Sequence, residues 1–201
     1  MPRVHPAIRH LRTCDPVMAE IVSTVGPLDL TPVSHEPFER LSRIIVGQQL
    51  SVAAAATIWQ RVRASKRSWT PRSVCKLSED ALRACGLSRA KARAIQALAE
   101  SALMGALDDL NQLSDSELLE RITTLHGFGP WSAQMYLMFG ANRMDVFAPA
   151  DAGLRRAIMR AYKLDRAAYD ERAEQISAAW SPWRTVACRY LWRWLAVVPD
   201  I

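Results

Sequence analysis

Two short stretches of the sequence hold residue types that could do chemistry together. LHGFGPW (125–131) has two glycines two positions apart, and DVFAPAD (145–151) ends in an aspartate. Glycines turn the chain sharply, allow positive φ and leave backbone N–H groups uncovered. A helix beginning at Pro130 would aim its unpaired amides and its positive dipole end at the same point. This arrangement suits a phosphate.

Both stretches also have plainer interpretations. Two glycines between helices can form an ordinary tight turn that binds nothing. Asp151 is also well placed to be the N-cap of the helix that follows it, GLRRAI. The glycines and the aspartate alone do not decide between these readings.

Composition favours a globular protein with a polyanionic partner. Half of the 201 residues are hydrophobic and 23% are charged, with a net charge of +6. The chain has 22 arginines and only 4 lysines, and because arginine pairs well with phosphate oxygens, nucleic acid is the first partner to consider. The four cysteines have no CxxC spacing, which predicts reduced thiols rather than a zinc site. No apolar run suggests a membrane span or a signal peptide, so we expect a cytoplasmic protein, nucleoid-associated if bacterial, with no membrane partner.

Helix signals follow one another along almost the whole chain. An apolar helical face runs from Glu36 to Gln49, and Pro130 suits the first turn of a helix that Gly140 ends. N-cap serines are predicted at Ser51, Ser78, Ser88, Ser114 (with Glu117 as a capping box) and Ser181. Because no stretch alternates with period two for long, the predicted fold is all-α, one domain over residues 1–201.

The stretches quoted above, with two others, resemble the helix-hairpin-helix (HhH-GPD) DNA glycosylases. LHGFGPWSAQMYLMFG followed by DVFAPADAGLRRA is similar to that family's hairpin, Gly/Pro-rich loop and aspartate. IIVGQQLSVAAAATIWQR (44–61) and WSPWRTVACRYLWRW (180–194) look like the DNA-3-methyladenine glycosylase II group. The resemblance implies the compact form without an N-terminal β domain. It also implies two helical lobes flanking an active-site cleft, approximately 45–140 and 1–44 plus 141–201.

The resemblance assigns the chemistry to Asp151. Breaking an N-glycosidic bond leaves an electron-deficient sugar, which a carboxylate can stabilise while it orients or deprotonates the attacking water. Bifunctional relatives carry a lysine where this chain has Trp131, and that lysine forms a Schiff base that leads to strand cleavage. We therefore expect a monofunctional glycosylase of base excision repair, without AP-lyase activity.

The resemblance also implies a pocket for the damaged base, lined by Trp131, Trp192, Met135, Tyr136 and Phe38. Purines alkylated at N3 or N7 are cationic, and an indole face attracts a cation by about 0.5–2 kcal/mol. Alkylated purines such as 3-methyladenine and 7-methylguanine are therefore the expected substrates. Met135 stands where some relatives have a tyrosine, which leaves the detailed base preference open.

Double-stranded DNA is the expected partner of a monomeric protein. The resemblance implies phosphate contacts from the amides of Gly127, Gly129 and Ser132, and DNA contacts from GQQLS (47–51). In the latter, Gln48, Gln49 and Leu50 form the wedge region, in which either Gln49, at the plug position, or Leu50 beside it fills the hole left by the flipped base. The alternative reading of GQQLS is a polar turn between two helices.

No catalytic cofactor is expected. The resemblance implies a structural Na⁺ or K⁺ at the hairpin, held by the backbone carbonyls of Thr123, Leu125 and Phe128. Two other functions stay open from the sequence: a glycosylase for neutral damaged bases such as ethenoadenine, hypoxanthine or uracil, and a non-catalytic helix-hairpin-helix DNA-binding module.

Overall fold

All regular secondary structure in the described part of the chain is helical. The computed structural model describes residues 4–33 and 36–198. The elements are α1 (Pro6–Cys14), α2 (Pro16–Val25), α3 (Pro37–Gly47), α4 (Val52–Ala64), α5 (Pro71–Val74), α6 (Glu79–Ala84), α7 (Arg89–Leu103), a 3₁₀ helix (Leu110–Gln112), α8 (Asp115–Thr123), α9 (Pro130–Phe139), α10 (Ala152–Ala161), α11 (Arg166–Ala178) and α12 (Arg184–Val197). Residues 4–33 and 36–198 contain no strand, which confirms the all-α prediction. None of these helices is both long enough and apolar enough to span a bilayer.

The chain divides into two compact units. One comprises Val33–Asn142 and is called here the hairpin unit; the other comprises Met1–Pro32 with Arg143–Ile201 and is called the aspartate unit. The sequence placed the first boundary at 44/45, whereas the structure assigns α3 to the hairpin unit. The reason is that α3 packs against α4, α7 and α9, all of which belong to that unit.

In the hairpin unit, local capping signals define most helix starts. The side chains of Ser51, Ser78 and Ser88 each accept a hydrogen bond from a backbone amide three residues on, as predicted. The capping box of Ser114 and Glu117 is also present. The short helix α5 begins at Pro71, where Thr70 and Ser73 form a second capping box.

Helix α9 forms much of the core of the hairpin unit. Its residues Ser132, Ala133 and 135–138 are buried, as expected for a helix that is mostly apolar all round. It packs against α8 to form the helix-hairpin-helix and also against α3. The turn between α8 and α9 is therefore held by a helix that is packed into the core of the hairpin unit.

In the aspartate unit, one predicted helix start is wrong. Ser181 does not cap a helix at Pro182, because its hydroxyl donates instead to Asp145 Oδ2 at 2.9 Å. Helix α12 begins at Arg184, whose backbone N–H donates to Asp145 Oδ1 at 3.2 Å. Asp145, 39 positions from Arg184 in the chain, thus caps the helix in place of the predicted Ser181.

Asp15 anchors the elements of this unit to one another. It is 8% exposed, and its Oδ1 caps α2 by accepting from the amides of Val17 and Met18. Its Oδ2 accepts from Tyr162 Oη at 2.5 Å and from Trp180 Nε1 at 3.1 Å. Four hydrogen bonds offset the cost of burying this charge, and they fix the C-terminal end of α10, where Tyr162 is the C-cap.

Candidate functional site

Asp151 is the N-cap of α10, at the end of the DVFAPAD loop. Its Oδ1 accepts from the Leu154 amide at 2.7 Å, and its own amide donates to the Ala148 carbonyl at 3.0 Å. The N-cap reading of the sequence is therefore confirmed. Because the residue is only half-buried, the cap does not conflict with a second role.

Trp192 of α12 reaches the same carboxylate oxygen. Its Nε1 donates to Asp151 Oδ1 at 2.9 Å, so two of the predicted site residues meet although they lie 41 positions apart. Gly153 makes room for the pair, since a Cβ built there would lie 3.1 Å from Asp151 Oδ1 and 3.2 Å from Trp192 Cδ1. A hydrogen bond to a charged acceptor is worth about 1.5–3 kcal/mol and sets the orientation of the carboxylate.

The loop that carries Asp151 is fixed at both ends. At its start, the Arg184 guanidinium donates from Nε to Asp145 Oδ1 at 2.8 Å and from Nη2 to Oδ2 at 3.1 Å. This ion pair, with the Ser181 hydrogen bond, lowers the pKa of Asp145 despite the opposing effect of burial. Near its end, Tyr169 Oη donates to the Pro149 carbonyl at 2.7 Å. Burial raises the pKa of Tyr169 to about 12, so its hydroxyl stays a donor at neutral pH.

The hairpin between α8 and α9 has the geometry that its glycines predict. Gly127 has φ of +87°, and a Cβ there would lie 2.7 Å from Ala94 Cβ of α7. Gly129, the N-cap of α9, has φ of −116° and gives no side-chain cap to the helix. A Cβ at Gly129 would meet nothing within 4 Å. The space beside Gly129, at the start of α9, is therefore open to an anion.

The wedge segment contacts the hairpin directly. Gln48 Nε2 donates to the Gly127 carbonyl at 2.9 Å and lies 3.0 Å from Ser132 Oγ. Ser132 itself is 2% exposed. Gln49 has φ of +55° and is exposed, as is Leu50. Of the three predicted wedge residues, Gln48 is thus occupied within the protein, whereas Gln49 and Leu50 face solvent.

The predicted base-pocket residues differ in accessibility. Trp131, in the first turn of α9, and Trp192 are half-buried. Met135, Tyr136 and Phe38 are 7%, 1% and 5% exposed. Phe38 stacks on Trp69 with ring centroids 6.2 Å apart, and burial raises the pKa of Tyr136 to about 12. Their roles toward a base stay predictions.

Of the predicted cation ligands, Thr123 is the last residue of α8, and Leu125 and Phe128 lie in the turn before α9. The Leu125 carbonyl accepts from the Phe128 amide at 3.2 Å, and because a carbonyl oxygen has two lone pairs it retains acceptor capacity. Within residues 4–33 and 36–198, no group of three or more His, Cys, Asp or Glu side chains could hold a metal ion. That the carbonyls of Thr123, Leu125 and Phe128 hold a monovalent cation stays a prediction.

Four residues that support these sites were not predicted from the sequence. They are Gly153, Tyr169, Arg184 and Lys91, the last of which binds the carbonyls of Val46 and Gln48. Two of them carry a signal in the sequence. Gly153 is an unfavourable residue in the first turn of a helix unless space is limiting, and Lys91 is one of four lysines in an arginine-rich chain.

Comparisons with known proteins found a matching family model, related sequences and similar solved structures. The model of the family described as "HhH-GPD superfamily base excision DNA repair protein" matches residues 42–182. Alkylbase DNA glycosidase-like protein mag2 of Schizosaccharomyces pombe is 30% identical, over 93% of this chain and 92% of its own length. DNA-3-methyladenine glycosylase 1 of the same organism is 30% identical, over 92% of this chain and 84% of its own length. The solved structure of the S. pombe 3-methyladenine DNA glycosylase Mag1 in complex with abasic DNA superposes with a TM-score of 0.85 at 30% identity, covering 94% of this chain and 95% of that chain.

Proposed function

The chain belongs to the HhH-GPD superfamily of base-excision DNA repair proteins, and from that membership we propose that it is a monofunctional glycosylase for alkylated purines. The support comes from relatives named for 3-methyladenine and from the similar structure solved with abasic DNA. The observation that carries the proposal is the Asp151 carboxylate, which Leu154 and Trp192 hold at the first turn of α10.

In this proposal Asp151 acts on the sugar. The bond between C1′ and the purine nitrogen breaks, its electron pair leaves with the base, and an N3- or N7-alkylated cationic purine departs as a neutral molecule. The carboxylate stabilises the cationic sugar, a water attacks C1′, and the proton of that water passes to the Asp151 carboxylate and from there to solvent. The products are the free base and an abasic site in an intact strand.

Trp131 determines the reaction type in this proposal. An indole has no amine and cannot form a Schiff base with the sugar, so the strand is not cut. An indole face also attracts a cationic base by about 0.5–2 kcal/mol. Which alkylated purine is released fastest depends on further pocket residues, among them Met135.

DNA binding is divided between two turns of the hairpin unit. The amides of Gly127, Gly129 and Ser132 would bind phosphates of double-stranded DNA, and a Na⁺ or K⁺ on the carbonyls of the same turn would add positive charge. Gln49, exposed and in the left-handed region, is the residue that would enter the space left by the flipped base.

Release of bases from damaged DNA tests the proposal. Purified protein is incubated with methylated, ethenoadenine-, hypoxanthine- and uracil-containing duplexes, and the released bases and cut strands are measured. We expect 3-methyladenine or 7-methylguanine without strand cleavage. Asp151→Asn should lower the rate by about 100-fold or more without changing stability, because asparagine is an equally good N-cap. If the wild type releases only neutral bases, the substrate assignment is wrong. If it releases no base while still binding DNA, the protein is a DNA-binding module rather than an enzyme.

A further inference from the structure

We propose that Gln48 and Lys91 are positioning residues that hold the wedge turn (48–50) and the hairpin (126–132) together as one DNA-engaging block. The inference rests on the proposed function, in which Gln49 fills the hole left by a flipped base. Neither Gln48 nor Lys91 would need to touch DNA. Their task would be to make phosphate binding at the hairpin and insertion of Gln49 occur in one fixed geometry.

Gln48 links the two turns through its side chain. The amide nitrogen Nε2 donates to the Gly127 carbonyl at 2.9 Å and lies within hydrogen-bond distance of Ser132 Oγ, at 3.0 Å. These partners lie 79 and 84 positions from Gln48 in the chain. Because one NH₂ group binds both Gly127 and Ser132, it fixes the Gly127 peptide plane relative to the first turn of α9.

Lys91 binds the backbone of Gln48, whereas the hairpin binds its side chain. Its ammonium donates to the Gln48 carbonyl at 2.7 Å and to the Val46 carbonyl at 2.9 Å, at the C-terminus of α3. A cation at the negative end of a helix dipole is favourable. Partial burial lowers the pKa of Lys91, which reflects how far the charge is withdrawn from solvent. The compact ammonium can bind two carbonyls at once, whereas the planar fork of an arginine suits carboxylates.

These bonds act directly on Gln49. Its φ of +55° is unfavourable for a residue with a Cβ and persists only where neighbours enforce it. The peptide carbonyl that precedes Gln49 is the one that Lys91 binds. Helix α7 therefore supports both turns, since Lys91 holds the wedge turn while Ala94 packs under Gly127.

A double-mutant cycle tests this coupling without requiring catalysis. The affinities of Gln48→Leu, Gln49→Ala and the double variant are measured for a duplex with a tetrahydrofuran abasic analogue and for the same duplex undamaged. Gln60→Leu, an exposed glutamine on α4, is the control. We expect Gln48→Leu to lower the preference for the abasic duplex about tenfold or more. The double variant should be no worse than Gln49→Ala, because Gln48 acts through Gln49. Gln60→Leu should keep the full preference.

Additive losses in the double variant would overturn the proposal, since Gln48 would then act independently of Gln49. Equal loss of affinity for both duplexes, or a wild type that does not prefer the abasic duplex, would overturn it as well. Lys91→Met serves as a second variant if Gln48→Leu does not fold, and it should show the same non-additivity with Gln49→Ala. A wild type that prefers the abasic duplex but releases no base would contradict the proposed function and leave this inference intact.

Discussion

Asp151 illustrates how one side chain can serve stability and chemistry together. Its Oδ1 accepts hydrogen bonds from the Leu154 amide and from Trp192 Nε1. Both donors fix the direction of the carboxylate, and a preorganised charge stabilises a developing cation better than a mobile one. Trp192 can approach Asp151 this closely because residue 153 is a glycine, since a side chain there would press on both residues.

Trp192→Phe should reduce base release by roughly tenfold, because the variant removes one hydrogen bond to the carboxylate, worth about 1.5–3 kcal/mol. A phenyl ring fills most of the half-buried space, so the melting temperature should fall by only a few degrees. Single-turnover release from methylated DNA and thermal unfolding measure the two effects.

Trp194→Phe is the matched control for this experiment. Trp194 lies on the same helix, is half-buried and stacks under the Arg160 guanidinium at 5.4 Å, away from the carboxylate bond. It should keep the wild-type rate. If Trp194→Phe lowered the rate as much as Trp192→Phe, general loosening of α12 would explain both results.

At the scale of the element, the two glycines of the hairpin have different tasks. Gly127 adopts a conformation that disfavours other residues and packs tightly on α7, whereas Gly129 has an ordinary φ and open space beside it. The first is required by the fold of the turn. The second leaves the start of α9 uncovered.

Alanine at each glycine separates these tasks. Gly127→Ala should destabilise the protein by about 1–3 kcal/mol, from positive φ and from the 2.7 Å contact with Ala94. Gly129→Ala should leave the free energy of unfolding nearly unchanged but weaken DNA binding severalfold, because its methyl group would stand where a phosphate approaches. Chemical denaturation and DNA titration provide the measurements. Unchanged DNA affinity of Gly129→Ala would show that α9 does not bind the backbone.

At the scale of the whole molecule, the net charge of +6 should make DNA binding strongly salt-dependent. Arg156 is exposed and forms no salt bridge within residues 4–33 and 36–198, whereas Arg166 pairs with Asp170 at 2.8 Å. If α10 meets DNA, Arg156→Gln should weaken binding to all sequences and lower the slope of log K against log salt by about 0.9. Arg166→Gln should change the slope less. Equal slopes for the wild type and Arg156→Gln would place α10 outside the DNA interface.

Stability should fall in alkaline solution because of buried tyrosines. Burial raises the pKa of Tyr136 and Tyr169 from 10 to about 12. A pKa that is higher in the folded than in the unfolded state contributes to the free energy of unfolding. This contribution is fully present below about pH 10 and is lost as pH rises toward 12. Near pH 11 each tyrosine should remove on the order of 1 kcal/mol. Denaturant unfolding between pH 7 and 11 measures the decline.

Phenylalanine variants identify the groups responsible. Tyr136→Phe should flatten part of the alkaline decline without loss at neutral pH, because no hydrogen bond of that hydroxyl occurs among the described residues. Tyr169→Phe should also flatten it but cost about 1 kcal/mol at neutral pH, since it loses the bond to Pro149. An unchanged pH profile in both variants would assign the decline to other groups.

The sequence alone determined the features that depend on neighbours a few positions away. Ser51, Ser88 and Asp151 cap helices as predicted, since an N-cap needs only a side-chain oxygen and an amide two or three residues on. The all-α class and the positive φ of Gly127 follow from local preference in the same way. The motif blocks were also sufficient to identify the family, because their order and composition can be read from the sequence alone.

Only the tertiary structure decided which distant groups meet. Asp145 replaces Ser181 as the cap of α12, Trp192 reaches Asp151, and Gln48 binds the hairpin rather than solvent. Each pairing joins residues from 39 to 79 positions apart. Helix packing fixes such pairs, and a hydrogen-bonding side chain has several possible partners until the packing removes the others. For that reason Asp151 and Gln48 could be identified as site residues from the sequence, whereas their distant hydrogen-bond partners could not.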